Sequence, residues 1–314
     1  MVSPRQPPTV IYGCMGLGGT GPRRTDADVD QADAAVRAAL DVGITWFDHA
    51  DIYGSGRAES VFGDVLARSP QLRGQIVLQS KCGIQLATAT QPGMYDLRAE
   101  SITARAEDSL RRLRTDYLDV FLLHRPDALM RPTEVARAFA ALSERGLVRE
   151  FGVSNMSAAQ LDSLQAACDQ PLIVNQLEMS LDHRDWVESG VLVNTLEGAG
   201  NGFPHGTIEY CQARGITLQA WGALARGRFT GAPRSAADEE VGRLVAALAD
   251  AKETSPETIV LWWLRHHPAA IAPIIGTTSP QRIAACLDAV ERPSALSHDE
   301  WYQLWVHARG RPLP

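Results

Sequence analysis

Short runs of β-branched and aromatic residues, apolar on both faces, alternate along the chain with longer amphipathic stretches. The runs predict strands over residues 12–18, 44–48, 76–81, 117–124, 148–154, 172–176, 216–221 and 272–276. Strands apolar on both faces are those that helices cover. The stretches between them read as helices. Val29, Val36 and Leu40 share one face of the first, which Gly43 ends. Ser157 and Gln160 spell a capping box ahead of Leu161 and Leu164. Ser255-Pro256 and Ser279-Pro280 open two more helices, because a proline in the first turn has no intrahelical hydrogen bond to lose. Gly43, Gly146 and Gly215 each stand just before a strand, where a helix C-cap favours a residue free to turn left-handed. Ser297 and Glu300 cap the last helix, which turns Trp301, Leu304, Trp305 and Ala308 inward.

Eight β/α repeats in 314 residues without a linker predict an α/β fold, a (β/α)8 TIM barrel forming a single domain over residues 1–314. The rival is a doubly wound open sheet. That architecture carries a GxGxxG turn after its first strand, and GLGGTG at 16–21 has the wrong glycine spacing. Two segments break the rhythm, residues 83–97 after the third strand and 182–206 after the sixth. Both fall on the C-terminal face of a barrel, where long loops carry binding function. Met94 and Tyr95 in one, Trp186 and Phe203 in the other, either roof an apolar pocket or pack beneath their own loops.

Composition narrows the function classes. Hydrophobic residues at 45% and charged residues at 21% are those of a globular chain, not a disordered one. Acidic residues number 37 against 30 basic, a net charge of −7, which argues against the concentrated basic face that nucleic-acid binding needs. No apolar run approaches the roughly 20 residues of a membrane span. The opening MVSPRQPPTV lacks the apolar core of a signal peptide. Cys14, Cys82, Cys168, Cys211 and Cys286 are odd in number, scattered and without a CxxC pair. A reduced, cytoplasmic protein is expected, with neither a disulfide framework nor a metal site. His49 and Asp51 form an HxD of the kind metal hydrolases use. That chemistry needs further histidines at later strand ends, and only His124 stands at one.

Polar residues at strand C-termini are the catalytic candidates of a barrel. Four stand out: Asp48 and Lys81 ending strands, Tyr53 in the loop after Asp48, and His124 ending the LDVFLLH run. Of the 30 basic residues only Lys81 and Lys252 are lysines, so arginine is this chain's default cation. A lysine after an apolar strand therefore marks a place for a flexible primary ammonium. Together the four suit proton donation to a carbonyl oxygen. A free phenol, with a pKa of about 10, is a weak acid at neutral pH. A neighbouring ammonium is expected to lower that value, a carboxylate behind the lysine to keep the ammonium charged, and an imidazole to orient the substrate oxygen. None of these groups supplies electrons, so reduction calls for a hydride carrier.

Nearly the whole chain resembles the aldo-keto reductases. The resemblance lies in MGLGGT (15–20), WFDHADIYG (46–54), SKCG (80–83), LDVFLLHRPD (118–127), REFGVSN (149–155), NQLEMS (175–180), AWGALARGR (220–228) and PIIGTTSPQRI (273–283). DHADIYG and HRPDALM are most similar to a branch of bacterial oxidoreductases within that superfamily. The resemblance implies a catalytic set of Asp48, Tyr53, Lys81 and His124, with Tyr53 the proton donor. It also implies NADP(H) laid across the barrel mouth. Ser154, Asn155 and Gln176 then hold the nicotinamide carboxamide, Trp221 stacks on the ring, and Gly18, Gly19 and Thr20 line the loop beneath the ribose. Leu224, Arg226 and Gly227 lie along the pyrophosphate, and Thr277, Thr278 and Arg282 fall at the 2′-phosphate. His124 stands where a steroid-reducing subgroup has glutamate, so the expectation is carbonyl reduction, not reduction of an activated double bond.

The chain departs from the family at several places. It has His49 where threonine is common, Gly276 where many members carry lysine, Cys286 where many carry asparagine, and Gly222-Ala223 where Ser-Pro often follows the stacking aromatic. The expected function is NADPH-dependent reduction of an aldehyde or ketone to an alcohol. The expected partners are a small-molecule carbonyl substrate, with no nucleic acid and no membrane, for a monomer or weak homo-oligomer. The alternative, from regulatory subunits in the same superfamily, is an NADPH-binding partner protein with vestigial turnover. The complete set of four residues argues against it.

Overall fold

A computed structural model describes residues 7–19, 21 and 24–314. Its strands are β1 (Ile11–Gly13), β2 (Trp46–Asp48), β3 (Val77–Cys82), β4 (Ile84–Gln85), β5 (Met94–Tyr95), β6 (Leu118–Leu123), β7 (Val148–Ser154), β8 (Leu172–Glu178), β9 (Thr217–Trp221) and β10 (Ala272–Ile275). Eight of them close into a barrel in the order β1-β10-β9-β8-β7-β6-β3-β2, every pair parallel. The remaining two, β4 and β5, pair as an antiparallel hairpin within the 83–97 segment. The helices are α1 (Asp26–Asp41), α2 (Arg57–Arg68), α3 (Ala99–Leu113), α4 (Pro132–Glu144), α5 (Ala158–Gln165), α6 (Asp185–Val191), α7 (Thr207–Ala213), α8 (Ala236–Ala251), α9 (Pro256–Arg265), α10 (Pro280–Ala284), α11 (Leu287–Glu291) and α12 (His298–Arg309).

This is the (β/α)8 barrel that the alternating pattern predicts, with one correction at its start. The first strand ends at Gly13, and Cys14–Gly16 coil into a 3-10 turn. The apolar run continues past the strand because Cys14 and Leu17 stay buried in that turn, and burial alone does not distinguish a turn from a strand. The caps follow expectation. Ser157 and Ser297 form full capping boxes, while Ser255 and Ser279 accept from Thr258 N and Arg282 N. Thr25 and Asp28 add a box at the start of α1 that the pattern of apolar positions did not announce. Gly43, Gly146 and Gly215 take φ of +81°, +68° and +67°, as a left-handed helix exit requires.

Ile11, Trp46, Val120, Leu122, Val174, Ala272 and Ile274 fill part of the barrel interior as a cluster of their own. The larger core lies between barrel and helices. Gly152 of β7 faces the interior cluster, where a Cβ would stand 2.8 Å from both Leu122 Cδ2 and Val174 O. Outside, Trp301 of α12 stacks on Trp263 with ring centroids 5.2 Å apart, and each indole N–H donates to the other's backbone carbonyl. Trp186 meets Trp263 of α9 edge-on and is 1% exposed, so it packs into the main core beneath the 182–206 segment. Phe203 packs partly buried against the same core, while Met94 and Tyr95 are exposed on the hairpin. Ala308 is only partly buried. Arg309 beside it is buried and pairs with Glu188 and Glu197, tying α12 to the 182–206 segment. Among the described residues no helix is long and apolar enough to cross a membrane.

Candidate active site

The register of β2 and β3 places Asp48 opposite Gln79. Lys81 lies two residues further along β3 and so projects to the same side as Gln79. Its Nζ stands 2.7 Å from both Asp48 oxygens. Tyr53 opens a 3-10 turn, Tyr53–Gly56, in which Gly54, Ser55 and Gly56 all take positive φ before α2 begins. The turn brings the phenol over the pair, with Lys81 Nζ 5.0 Å from the Tyr53 ring centroid. His124 follows β6 directly, and its backbone N–H donates to Cys82 O at 2.8 Å. Its ring meets Tyr53 edge-on at 6.1 Å. Four side chains from separate stretches thus converge at the C-terminal end of the barrel.

Burial decides the charge states. It pushes the Tyr53 phenol up, against the pull of Lys81, and the net direction is upward. The lowering expected from the ammonium is therefore present but outweighed, because the desolvation of a phenolate is the larger effect. Burial also works against the Lys81 ammonium, but Asp48 and then Tyr53 more than offset it, so Lys81 is raised and stays charged. His124 is pushed down to about 3 by burial, then by Lys81 and Arg125. His49 is likewise pushed down to about 3 by burial and Lys81. Its ring packs edge-on against Phe62, with both nitrogens buried and without hydrogen-bond partners. Asp51 is pushed up to about 7 by burial, against the pull of Arg105, whose Nε is 3.8 Å away. Among the described residues no group of three or more His, Cys, Asp or Glu side chains is placed to hold a metal ion.

A cleft of about 1030 Å³ opens above these groups. Asp48, Tyr53 and His124 line it, while Lys81 is fully buried behind them. Ser154, Asn155, Gln176 and Trp221 line it from β7, β8 and β9. Ser154 Oγ donates to Gln176 O at 2.8 Å, Asn155 Nδ2 donates to Ser154 Oγ at 2.7 Å, and Trp221 Nε1 donates to Asn155 Oδ1 at 3.3 Å. Asn155 sits at φ +58°, and Ala225 and Arg226 at +47° and +56°. Such conformations are uncommon outside glycine and tend to collect at functional sites. Leu224, Arg226, Gly227, Thr277 and Arg282 complete the lining among the expected residues, and Arg234 joins them.

Some expected residues stand elsewhere. Gly18 and Gly19 lie outside the lining, close against Arg57 and Asp28 respectively, and from that loop Gly13 and Met15 line the cleft instead. Thr278 is not in the lining, and Thr20 lies outside the described residues. Met94, Tyr95, Trp186 and Phe203 do not line the cleft either. Two buried residues were missed altogether, Gln79 and Gln219, whose amides meet beneath Asp48. Their signal in the sequence is a polar amide two residues before a site residue on the same strand face, in LQSK and LQAW.

The family model described as Aldo/keto reductase family matches residues 9–306. The "uncharacterized oxidoreductase YcsN" of Bacillus subtilis (strain 168) is 38% identical over 286 residues, covering 88% of this chain and 87% of that protein. The 6-dehydroglucose reductase of Novosphingobium aromaticivorans is 36% identical over 291 residues, covering 90% of this chain and 88% of that protein. Among solved structures, an aldo/keto reductase from Klebsiella pneumoniae in complex with NADP and acetate is similar with a TM-score of 0.73 at 25% identity, covering 98% of this chain and 93% of that one. With a match running from before β1 to within α12, the chain belongs to the aldo/keto reductase family.

Proposed function

We propose that this protein is an NADPH-dependent reductase of aldehydes or ketones in which Tyr53 is the proton donor. The observation that carries the reading is the buried Lys81–Asp48 contact beneath a phenol that burial keeps protonated. The cleft fits the cofactor. Trp221 offers an aromatic face, Ser154, Asn155 and Gln176 offer amide and hydroxyl groups beside it, and the cations Arg226, Arg234 and Arg282 line the cleft. NADPH, when bound there, supplies the hydride that none of these side chains can. Similarity to a reductase and to a structure holding NADP supports the same reading.

The chain's own part is proton transfer. Tyr53 gives its proton to the carbonyl oxygen as negative charge develops there. Lys81 faces the phenolate so formed, and Asp48 keeps Lys81 charged and in place. His124, neutral at working pH, offers a hydrogen bond that orients the oxygen. The test follows NADPH absorbance across a panel of aldehydes, ketones and quinones, with Tyr53→Phe beside the parent protein. Reduction by the parent, lost in Tyr53→Phe while NADPH affinity stays within about twofold, is expected. Full activity in the variant sinks the assignment of the proton donor.

A further inference from the structure

Beneath the Asp48–Lys81 pair the barrel interior is not apolar. Gln79 of β3, Gln176 of β8 and Gln219 of β9 meet there, at 0, 2 and 0% exposure. Gln79 and Gln219 clasp each other. Gln79 Nε2 donates to Gln219 Oε1 at 2.8 Å, and Gln219 Nε2 donates to Gln79 Oε1 at 3.0 Å. The second N–H of Gln79 goes to Asp48 Oδ1 at 2.6 Å. Gln176 Nε2 likewise donates to Asp48 Oδ1 at 3.2 Å and to Gln219 Oε1 at 3.0 Å. Asp48 Oδ1 therefore faces three donors, Lys81, Gln79 and Gln176, while Oδ2 faces Lys81.

The inventory of groups leaves one arrangement. An ionised carboxylate only accepts, so the amino ends of Gln79 and Gln176 must point at Asp48. That turns Gln79 Oε1 away, onto the amino end of Gln219. Gln219 Oε1 is then the acceptor left for the remaining N–H groups of the other two. Such a layer is a costly way to fill space, since each buried amide must find partners that an aliphatic side chain would not need. Elsewhere the interior is filled by residues such as Leu122, Val174 and Ile274. What a satisfied amide network adds is a single fixed orientation.

We propose that Gln79 and Gln219 are positioning residues for proton donation. Their clasped amides lock the Asp48 carboxylate with both oxygens on Lys81, and so hold the ammonium at one height under Tyr53. The inference rests on Tyr53 being the proton donor. Gln219 has a second task, because it also orients Gln176, which lines the cleft. The two residues therefore differ in what their loss does. Gln79→Leu removes a donor from Asp48 but leaves the Gln176–Gln219 hydrogen bond, whereas Gln219→Leu removes that bond as well as the partner of Gln79.

Lys81 is faced by Asp48 and Tyr53, and by three groups that are neutral near pH 7, His49, His124 and the Cys14 thiol. The high-pH limb of kcat thus reads the Asp48–Lys81–Tyr53 set. With Asp48 free to turn, its hold on the ammonium weakens. The experiment measures kcat against pH, and NADPH affinity by fluorescence titration, for the parent protein, Gln79→Leu and Gln219→Leu. Both variants are expected to lose about 10- to 100-fold in kcat and to show the high-pH limb about one unit lower. NADPH affinity should be unchanged in Gln79→Leu and several-fold weaker in Gln219→Leu. A uniform fall in kcat with the limb unmoved is the mark of loosened packing and overturns the proposal, as does a parent-like rate. Gln79→Met and Gln219→Met, closer in shape, replace any leucine variant that does not fold, with the same two outcomes. Activity lost in Tyr53→Phe with parent-like glutamine variants defeats only this inference; an active Tyr53→Phe defeats the reading beneath it.

Discussion

Lys81 Nζ stands 2.7 Å from both carboxylate oxygens of Asp48, with the lysine side chain wholly buried and the aspartate 3% exposed. Two charges out of water hold together only as a pair. Removing one strands the other, at a cost of about 3–5 kcal/mol. Lys81→Met is expected to lose stability of that order and to abolish carbonyl reduction. Asp48→Asn combined with Lys81→Met removes both charges, and should recover most of the stability and none of the activity. Urea unfolding of both single variants and the double checks this. A double variant as unstable as the sum of the singles would show that the pair is not coupled.

The two histidines of the site are silent near neutral pH. Burial, with Lys81 adding to it, pushes His124 and His49 down to about 3, and a base is neutral above its pKa. Tyr53 and Lys81 are both held above their ordinary values and give up their protons only in the alkaline range. A profile of kcat/KM for reduction is expected to be flat from about pH 5 to 9. A fall in kcat/KM as pH rises through the ordinary histidine value of about 6.5 means that His124 works as a cation, contrary to its surroundings.

Asp51 carries a stability cost that depends on pH. Its carboxyl moves from the ordinary 3.8 up to about 7 on folding, through burial, with Arg105 opposing. Between those values the unfolded chain is ionised at this site while the folded one is not, so stability falls as pH rises through that window and levels off above it. Asn has no charge to bury. Asp51→Asn is therefore expected to match the parent below pH 4, and to exceed it above pH 7 by a few kcal/mol, taking about 1.4 kcal/mol per pKa unit. Thermal unfolding across pH 4 to 8 measures the divergence. A constant offset at every pH would assign the effect to packing.

Arg282 reaches the 222–227 loop, its Nη2 lying 3.7 Å from where a Cβ on Gly227 would stand. An exposed guanidinium in this place suits a phosphate on the ribose. Arg282→Ala is expected to weaken NADPH by about 1–2 kcal/mol and NADH by much less, since only the former carries the extra anion. Titration with both cofactors settles it, and equal losses would remove Arg282 from that role.

Much of the fold was legible along the chain because strand runs, caps and exits are local. A polar residue closing an apolar run marks Asp48, Lys81 and His124 without any coordinates, and the scarcity of lysine singles out Lys81. Tyr53 is less conspicuous, being one loop residue among several, and it stands out by following Asp48 in the loop at the same strand end, where a phenol near an ammonium suits proton donation. Sequence by itself therefore determined the barrel, its strand order of residues and the four candidates.

Tertiary structure decided what those candidates are like. Whether the Tyr53 phenol moves up or down is a contest between burial and an ammonium, and both depend on distances that spacing does not contain. The Gln79–Gln219 clasp joins residues 140 positions apart. Gly18 and Gly19, whose motif points to the cofactor, pack against Arg57 and Asp28. Trp186 packs into the main core against Trp263 of α9 and not into the cleft. A period of hydrophobic residues says which face of a segment avoids water; which buried groups then meet, and with what charge, is set only when the barrel closes.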